Sequence, residues 1–156
     1  MSDSHDNLDA IRKAVRFFTD IKCELVVHAG DLIAPFAAKE LSSLDCPVKA
    51  VFGNCDGEKK GLERIIALFG EIKREPFSFD YVGQAFLLTH THFDNDMHIR
   101  SGKYNVIIYG HTHKPDIRKA RDSLLINPGE TGGWLTGKSS VALLDSEALE
   151  AEIVFL

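Results

Sequence analysis

The chain has 156 residues, a length typical of one domain, with 44% hydrophobic and 26% charged residues. This composition predicts a packed core and excludes a wholly disordered chain. The 18 basic and 23 acidic residues give a formal net charge of −5, which argues against a protein that coats nucleic acid. A substrate that carries phosphate is still allowed, because a bound metal ion can invert the local field.

The sequence contains no membrane or secretion signal that we can identify. Its longest apolar runs, such as residues 106–109, are far shorter than the ~20 residues that span a bilayer. The first residues lack the basic and apolar stretches of a signal peptide. Cys23, Cys46 and Cys55 are odd in number and show no CxxC spacing. We therefore expect no disulfide framework, no membrane partner and a cytoplasmic location.

Helical and strand periodicities alternate along the chain, which favours an α/β domain spanning residues 1–156. Asp6 or Asn7 can cap a first helix, whose apolar face runs from Leu8 to Phe18. Pro35 suits the first turn of a second helix. The remaining predicted elements are helices at 62–69 and 97–101 and strands at 25–27, 48–52, 77–81, 85–89, 106–109, 117–120, 124–127, 141–144 and 153–155.

Polar side chains follow four of the predicted strands, usually beside a glycine that permits a tight turn. These segments are His28-Ala29-Gly30-Asp31, Gly53-Asn54-Cys55-Asp56, Thr89-His90 and Gly110-His111-Thr112-His113. Because ligand sites in open α/β sheets lie beyond the carboxyl ends of strands, we expect these residues to converge. Residues two apart in extended chain point to the same side, so Asp3/His5 and His111/His113 can each grip one ion.

The pooled residues form a candidate metal site with nitrogen and oxygen donors. The set is Asp3, His5, Asp31, Asn54, His90, His111 and His113. Such donors suit Mn²⁺, Fe, Co²⁺, Ni²⁺ or Zn²⁺ better than Ca²⁺ or Mg²⁺ alone. Seven ligands exceed one tetrahedral site and suit two ions that share a carboxylate. Two-metal centres of this kind recur in phosphoester hydrolysis.

The order of these motifs resembles the calcineurin-like metallophosphoesterases, in particular their small single-domain phosphodiesterases of the YfcE type. The resemblance covers essentially the whole chain. The motifs that carry it are Asp3-x-His5, Gly30-Asp31, Gly53-Asn54-x-Asp56, His90 and Gly110-His111-x-His113. It implies a four-layer α/β sandwich of two mixed β-sheets flanked by helices, with a dinuclear metal centre at one end.

The resemblance also implies a role for each candidate ligand. Asp31 would bridge two divalent ions, with Mn²⁺ as the leading candidate and Ni²⁺, Zn²⁺, Fe or Co²⁺ as alternatives. A metal-bridging hydroxide would then attack a small phosphodiester. The first ion would bind Asp3, His5, Asp31 and His113, and the second Asp31, Asn54, His90 and His111.

Two departures from the family pattern affect the expected chemistry. Cys55 stands where many members carry a histidine that is a candidate general acid. We interpret Cys55 as a packed or supporting residue. His92 is the candidate acid in its place, the alternative being an exposed loop histidine. The candidate catalytic residues are thus Asn54, His92 and Cys55. The family also has a buried strand before Asp-x-His, whereas only Met1 and Ser2 stand before Asp3 here, so we expect a shortened first strand.

Two further residues carry open interpretations. Asp56 is predicted to support Asn54 by hydrogen bonding, as polar neighbours of metal ligands commonly do. Trp134 is either an exposed anchor for association into a homo-oligomer or a lid over the core.

Three functions compete at this point. The leading one is an enzyme acting on small phosphoesters. The second is a protein scaffold, because the family includes a retromer subunit that acts as one on a degraded site. The third is a metal-sensing or structural protein that binds metal without turnover. All seven ligand positions are filled here, which favours the enzyme.

Overall fold

A computed structural model describes all 156 residues of the chain as one α/β unit. None of its helices combines the length and apolar character needed to cross a membrane. The helices are α1 (Leu8–Asp20), α2 (Pro35–Glu40), α3 (Lys59–Ile66) and α4 (Asn95–Ser101). The strands are β1 (Val26–His28), β2 (Val48–Val51), β3 (Gly70–Lys73), β4 (Phe77–Tyr81), β5 (Gln84–Leu88), β6 (Val106–Ile108), β7 (Asp116–Ala120), β8 (Ser123–Asn127), β9 (Ser140–Asp145) and β10 (Glu150–Phe155).

Two main sheets and one hairpin organise these strands. The first sheet has the order β1-β2-β3 and is parallel throughout. The second has the order β4-β5-β6-β8-β7, with parallel strands in its middle and antiparallel strands at both edges. Strands β9 and β10 form a separate antiparallel pair. The predicted α/β sandwich is therefore confirmed, and its mixed strand directions belong to the five-stranded sheet.

Three apolar clusters hold the layers together. Helices α1, α2 and α3 cover one face of the parallel sheet, with Ile11, Leu41 and Leu62 fully buried. Alternate residues of the two sheets, among them Val51 and Ile108, face each other in the second cluster. The intervening residues of the five-stranded sheet pack under Ile99 of α4. The layers thus run helix, sheet, sheet, helix, because successive strand residues point to opposite faces.

The element boundaries depart from the prediction mainly around β3. The predicted third helix, residues 62–69, begins earlier and ends at Ile66, and strand β3 follows it. Gly70 can pair with β2 because it has no side chain. A Cβ atom at this position would lie 2.0 Å from the Val48 carbonyl oxygen, which is too close. The charged residues of β3 are satisfied at the edge of the sheet, where Glu71 contacts Lys49 and Lys73. A strand with so little apolar patterning gives no periodic signal.

Met1 and Ser2 lie beside β1 and form backbone hydrogen bonds on both sides. The Met1 amino group donates to the Val27 carbonyl at 2.9 Å, and the Ala29 amide donates to the Met1 carbonyl at 3.0 Å. On the other side, the Thr131 amide donates to the Ser2 carbonyl at 2.9 Å. Burial lowers the pKa of the Met1 amino group to about 5.

An apolar cavity of about 440 Å³ adjoins Met1. It is lined by residues of β1 and β9 and by Phe18 and Tyr81, among others. The facing edges of β1 and β9 make no ladder with each other, so the parallel sheet and the β9–β10 hairpin are separate. The cavity thus lies between the parallel sheet and the hairpin, beside Met1.

Candidate metal centre

Asp31 lies at the centre of the candidate site, in the loop after β1. Its side chain is buried, and its Oδ2 atom lies 3.7 Å from His5 Nε2 and 3.5 Å from His90 Nε2. The Oδ1 atom accepts a hydrogen bond from the Cys55 amide at 2.8 Å. One carboxylate oxygen therefore faces two histidines from different segments while the other is anchored to the backbone.

The first cluster of donor atoms is formed by Asp3, His5 and His113. Oδ1 of Asp3 lies 3.9 Å from His5 Nε2 and 3.5 Å from His113 Nε2. Both Asp3 Oδ1 and His5 Nε2 are buried without a hydrogen-bond partner. Burial also raises the pKa of Asp3. A buried polar atom without a partner is costly, and a cation among these three residues would satisfy both.

The second cluster is formed by Asn54, His90 and His111. Nδ1 of His90 lies 2.8 Å from the Ala29 carbonyl oxygen, which can only accept, so we assign the ring proton to Nδ1. Nε2 then presents a lone pair, and it lies 2.8 Å from Asn54 Oδ1. His111 Nδ1 lies 2.9 Å from the same oxygen. A lone pair facing a carbonyl oxygen without a proton between them fits a metal ion.

His113 faces a carboxylate that the sequence analysis missed. Oε1 of Glu130 lies 3.2 Å from His113 Nδ1, whereas the other ring nitrogen, Nε2, faces Asp3. Glu130 is 1% exposed and accepts hydrogen bonds from the Leu135 and Thr136 amides. Although burial acts to raise it, these hydrogen bonds keep the pKa of Glu130 below its usual value. Glu130 lies 17 residues after His113, and no sequence spacing identifies it as a partner of that histidine.

The donor atoms converge through left-handed backbone rather than through extended chain. Five of the seven predicted ligands have positive φ: Asp3 (52°), His5 (43°), Asp31 (59°), His111 (67°) and His113 (59°). The expectation that extended chain aligns each pair is therefore wrong. Residues other than glycine seldom adopt this region, although aspartate and histidine tolerate it better than most. Asp3 Oδ1 and His5 Nε2 still lie 3.9 Å apart, but His111 and His113 turn toward different clusters, so the expectation that this second pair grips one ion is wrong.

The glycines beside the ligands serve two purposes. Gly30 has φ +93°, so it makes the tight turn that the sequence predicted. Gly53 acts through space, because a Cβ atom there would lie 2.1 Å from Asp31 Oδ1. The absence of a side chain at Gly53 lets the loop after β2 approach the Asp31 carboxylate.

Two acidic side chains fix the loops that carry the ligands. Asp56 accepts hydrogen bonds from the amides of Asp31, Ile33 and Gly53 at 3.2, 2.6 and 2.7 Å. It thus joins the loops after β1 and β2 through their backbones, and the predicted hydrogen bond from Asp56 to Asn54 is not among its contacts. Glu75, which the sequence analysis missed, accepts hydrogen bonds from the His90 amide at 2.6 Å and from the Thr91 amide at 2.9 Å.

The two other candidate catalytic residues lie at the edge of the site. Cys55 is exposed, yet the atoms packed around its sulfur and the nearby Asp31 carboxylate raise the pKa of its thiol to about 11. That value argues against a thiolate nucleophile. The His92 ring is also exposed, with its centroid 6.3 Å from that of His111. His92 therefore lies within reach of a group bound beside the second cluster.

Trp134 lies beside the first cluster. Its Nε1 atom donates to the His5 carbonyl at 3.0 Å, and the side chain is 64% exposed. This exposure excludes a lid over the core. Self-association through Trp134 stays a prediction.

Comparison with known proteins agrees with this geometry. The sequence model of the calcineurin-like phosphoesterase superfamily domain matches residues 1–148. The chain is 39% identical over 163 residues to Phosphodiesterase MJ0936 of Methanocaldococcus jannaschii, covering 100% of this chain and 96% of that protein. The solved structure of a novel archaeal phosphodiesterase superposes with a TM-score of 0.95 at 38% identity, covering 100% of this chain and 97% of that one. Vps29 of Chaetomium thermophilum superposes with a TM-score of 0.73 at 15% identity, covering 100% and 93%, which is a likeness of fold alone.

Proposed function

The chain belongs to the calcineurin-like phosphoesterase superfamily, and we propose that it hydrolyses small phosphodiesters at the site centred on Asp31. It is a metallophosphoesterase by family. The finer choice of diesters is supported by Phosphodiesterase MJ0936, to which the chain is 39% identical over its whole length. The formal charge of −5 makes local cations at the site all the more necessary for an anionic substrate.

We propose that two divalent ions bind at the site and share the Asp31 carboxylate. The observation that carries this proposal is the convergence of ligand-type atoms, namely Asp3 Oδ1 and His5 Nε2, which are buried without a hydrogen-bond partner, and Asn54 Oδ1, which both His90 and His111 approach. The first ion is assigned to Asp3, His5, Asp31 and His113, and the second to Asp31, Asn54, His90 and His111.

Mn²⁺ is the proposed leading ion, and the nitrogen and oxygen donors equally suit Ni²⁺, Zn²⁺, Fe or Co²⁺. When bound, such ions supply Lewis acidity that activates water and offsets charge on the phosphoryl oxygens. The protein's own part is to hold the donor atoms in place. Glu130 orients the His113 ring, and the Ala29 carbonyl orients the His90 ring. A fixed ring orientation keeps the lone pair of each histidine directed at the proposed metal position.

Protonation of the leaving group is assigned to His92. Its exposed ring can reach a group bound beside His111, from which its centroid lies 6.3 Å away. Cys55 is assigned a supporting role, because the Asn54 side-chain amide donates to its sulfur at 3.2 Å. That contact turns the Asn54 carbonyl oxygen toward the two histidines of the second cluster.

A scaffold function like that of the retromer subunit is the weaker candidate. A binding surface needs no converging donor atoms, whereas here the seven candidate ligands form one connected set of contacts that includes Asp31. A cytoplasmic location also belongs to the proposal, supported by three cysteines that are all free.

The test is a hydrolysis panel with metal-stripped protein. Mn²⁺, Ni²⁺, Zn²⁺ or Mg²⁺ is added back, and phosphodiester dyes, phosphomonoester dyes and cyclic nucleotides are compared. We expect transition ions to restore diester hydrolysis. Failure of every ion to restore hydrolysis of any phosphoester would contradict the proposed function, and preference for monoesters would contradict the assigned substrate class.

A further inference from the structure

Two large aromatic side chains are exposed at the candidate site, one beside each cluster of donor atoms. Phe93 is 71% exposed, and its ring centroid lies 6.0 Å from that of His111 at an interplanar angle of 65°. Trp134 is 64% exposed and is bound through Nε1 to the His5 carbonyl. Phe93 thus adjoins the second cluster and Trp134 the first.

Both side chains are held by neighbouring residues and are nevertheless largely exposed. Phe93 lies 4.7 Å, centroid to centroid, from the tilted His92 ring. Trp134 belongs to the loop that Glu130 fixes through the Leu135 and Thr136 amides. A ring that is already positioned loses little conformational entropy when a ligand packs against it. These exposed aromatic faces therefore suit a planar group rather than the protein's own core.

The bridging carboxylate sets the geometry between the two rings. Asp31 contacts His5 on the Trp134 side and His90 on the Phe93 side. A phosphoryl group held by ions at Asp31 would therefore have Trp134 beside the first cluster and Phe93 beside the second. A phosphodiester carries two ester substituents, and each of them can extend toward one ring.

We propose that Phe93 and Trp134 bind planar ester substituents, so that the preferred substrates are phosphodiesters bearing aryl or nucleobase rings. This inference rests on the proposed function and names its substrate class. Stacking on an aromatic side chain is worth ~1–3 kcal/mol per base, or about 5- to 150-fold in affinity. Alkyl diesters offer no planar face and forgo this contribution.

The test uses the metal-loaded protein with diphenylphosphinate and dimethylphosphinate, two diester-like anions that have no leaving group. Titration calorimetry gives both affinities independently of catalysis. Trp134 is the only tryptophan of the chain, so its emission also reports on ligands that contact it. We expect at least about tenfold tighter binding of the diphenyl anion, together with a change in Trp134 emission.

Variants assign the preference to the two rings. Phe93→Ala and Trp134→Leu should each reduce it about fivefold or more, while Trp134→Phe, which keeps a ring, should retain most of it. Phe36→Ala is the matched control, because Phe36 is 56% exposed on α2 and outside the site. Elemental analysis of every variant checks that metal content is unchanged.

Equal affinity for the two anions, or a preference that survives both ring deletions, would overturn the proposal. If the protein nevertheless hydrolyses phosphodiester dyes, the proposed function stands and only the role of the rings is wrong. Failure to bind either anion, together with failure to hydrolyse any phosphoester, overturns both.

Discussion

The two ring nitrogens of His113 face two different carboxylates, Nδ1 toward Glu130 at 3.2 Å and Nε2 toward Asp3 at 3.5 Å. Such a pairing directs one nitrogen to a metal ion and gives the other a fixed acceptor. Glu130 is therefore a positioning residue for the first cluster, and it offers a direct test of the assignment.

Replacing Glu130 with Gln should weaken metal binding by roughly 10- to 100-fold, the usual effect of losing the outer partner of a ligating histidine. Competition with a chelating dye measures this affinity. Thr136→Val is the control, because Thr136 Oγ1 donates to the same carboxylate without contacting His113. A comparable loss of affinity in both variants would assign the effect to the loop rather than to His113.

Asp31→Ala should abolish binding of both ions, because its Oδ2 atom faces His5 and His90 together. His113→Ala removes a donor from the first cluster only and should leave about one ion per chain. Elemental analysis after loading with Mn²⁺ distinguishes the two. Retention of one tightly bound ion by Asp31→Ala would contradict the bridging role.

His92→Ala should slow the hydrolysis of alkyl diesters far more than that of diesters with acidic phenol leaving groups. A general acid contributes ~10²–10⁴-fold where the leaving group needs a proton, and little where it does not. Rates on both substrates and metal content are measured together. Equal losses would indicate substrate positioning, and unchanged rates would exclude His92 from the reaction. Near-normal activity of Cys55→Ser is the expected control result.

His5→Gly should be more stable without metal than His5→Ala. Both variants lose the ligand, but His5 has φ 43°, which an alanine adopts only at a cost. Left-handed backbone costs a non-glycine residue ~1–2 kcal/mol, and the greater freedom of unfolded glycine offsets ~0.5–1 kcal/mol of that. Urea unfolding with chelator present measures the difference in the free energy of unfolding. A more stable alanine variant would show that the backbone at residue 5 is not strained.

An apolar segment added before Met1 should stabilise the fold by filling the cavity between β1 and β9. Roughly six alternating Val and Ile residues match the usual length of a strand. The addition also replaces the buried amino group with an amide. We expect Tm to rise by several degrees, since ~1 kcal/mol shifts Tm by roughly 2–4 °C in a domain of this size. A Gly-Ser segment of equal length is the control, and equal effects would exclude strand insertion.

Much of the fold was predictable because it depends on local patterns. The helix α1 begins where the sequence predicted, with the Asn7 side chain accepting from the Ala10 amide. Strand β4 has its predicted bounds, since its aromatic residues alternate with polar ones. Strand β3 has no such alternation of apolar and polar residues. It forms because Glu71 pairs with Lys49 and Lys73 and because Gly70 can approach Val48 closely, and neither contact is visible in the sequence.

The site was only partly predictable for a related reason. The seven candidate ligands follow strands and were found from that position in the sequence. Glu75 and Glu130 act through partners 15 and 17 residues away, His90 and His113, and no spacing rule links them. The left-handed backbone at the ligands was equally invisible, because aspartate and histidine occur in many other conformations.

The Asp56 carboxylate, which accepts from Asp31, Ile33 and Gly53, has a consequence for motion as well as for position. Asp56 itself belongs to the loop after β2, so the two loops cannot separate without breaking the hydrogen bonds that the Asp31 and Ile33 amides donate to it. Their hydrogen exchange with solvent should therefore proceed through one common opening and show similar protection. The ends of two neighbouring strands would then behave as a single mobile unit.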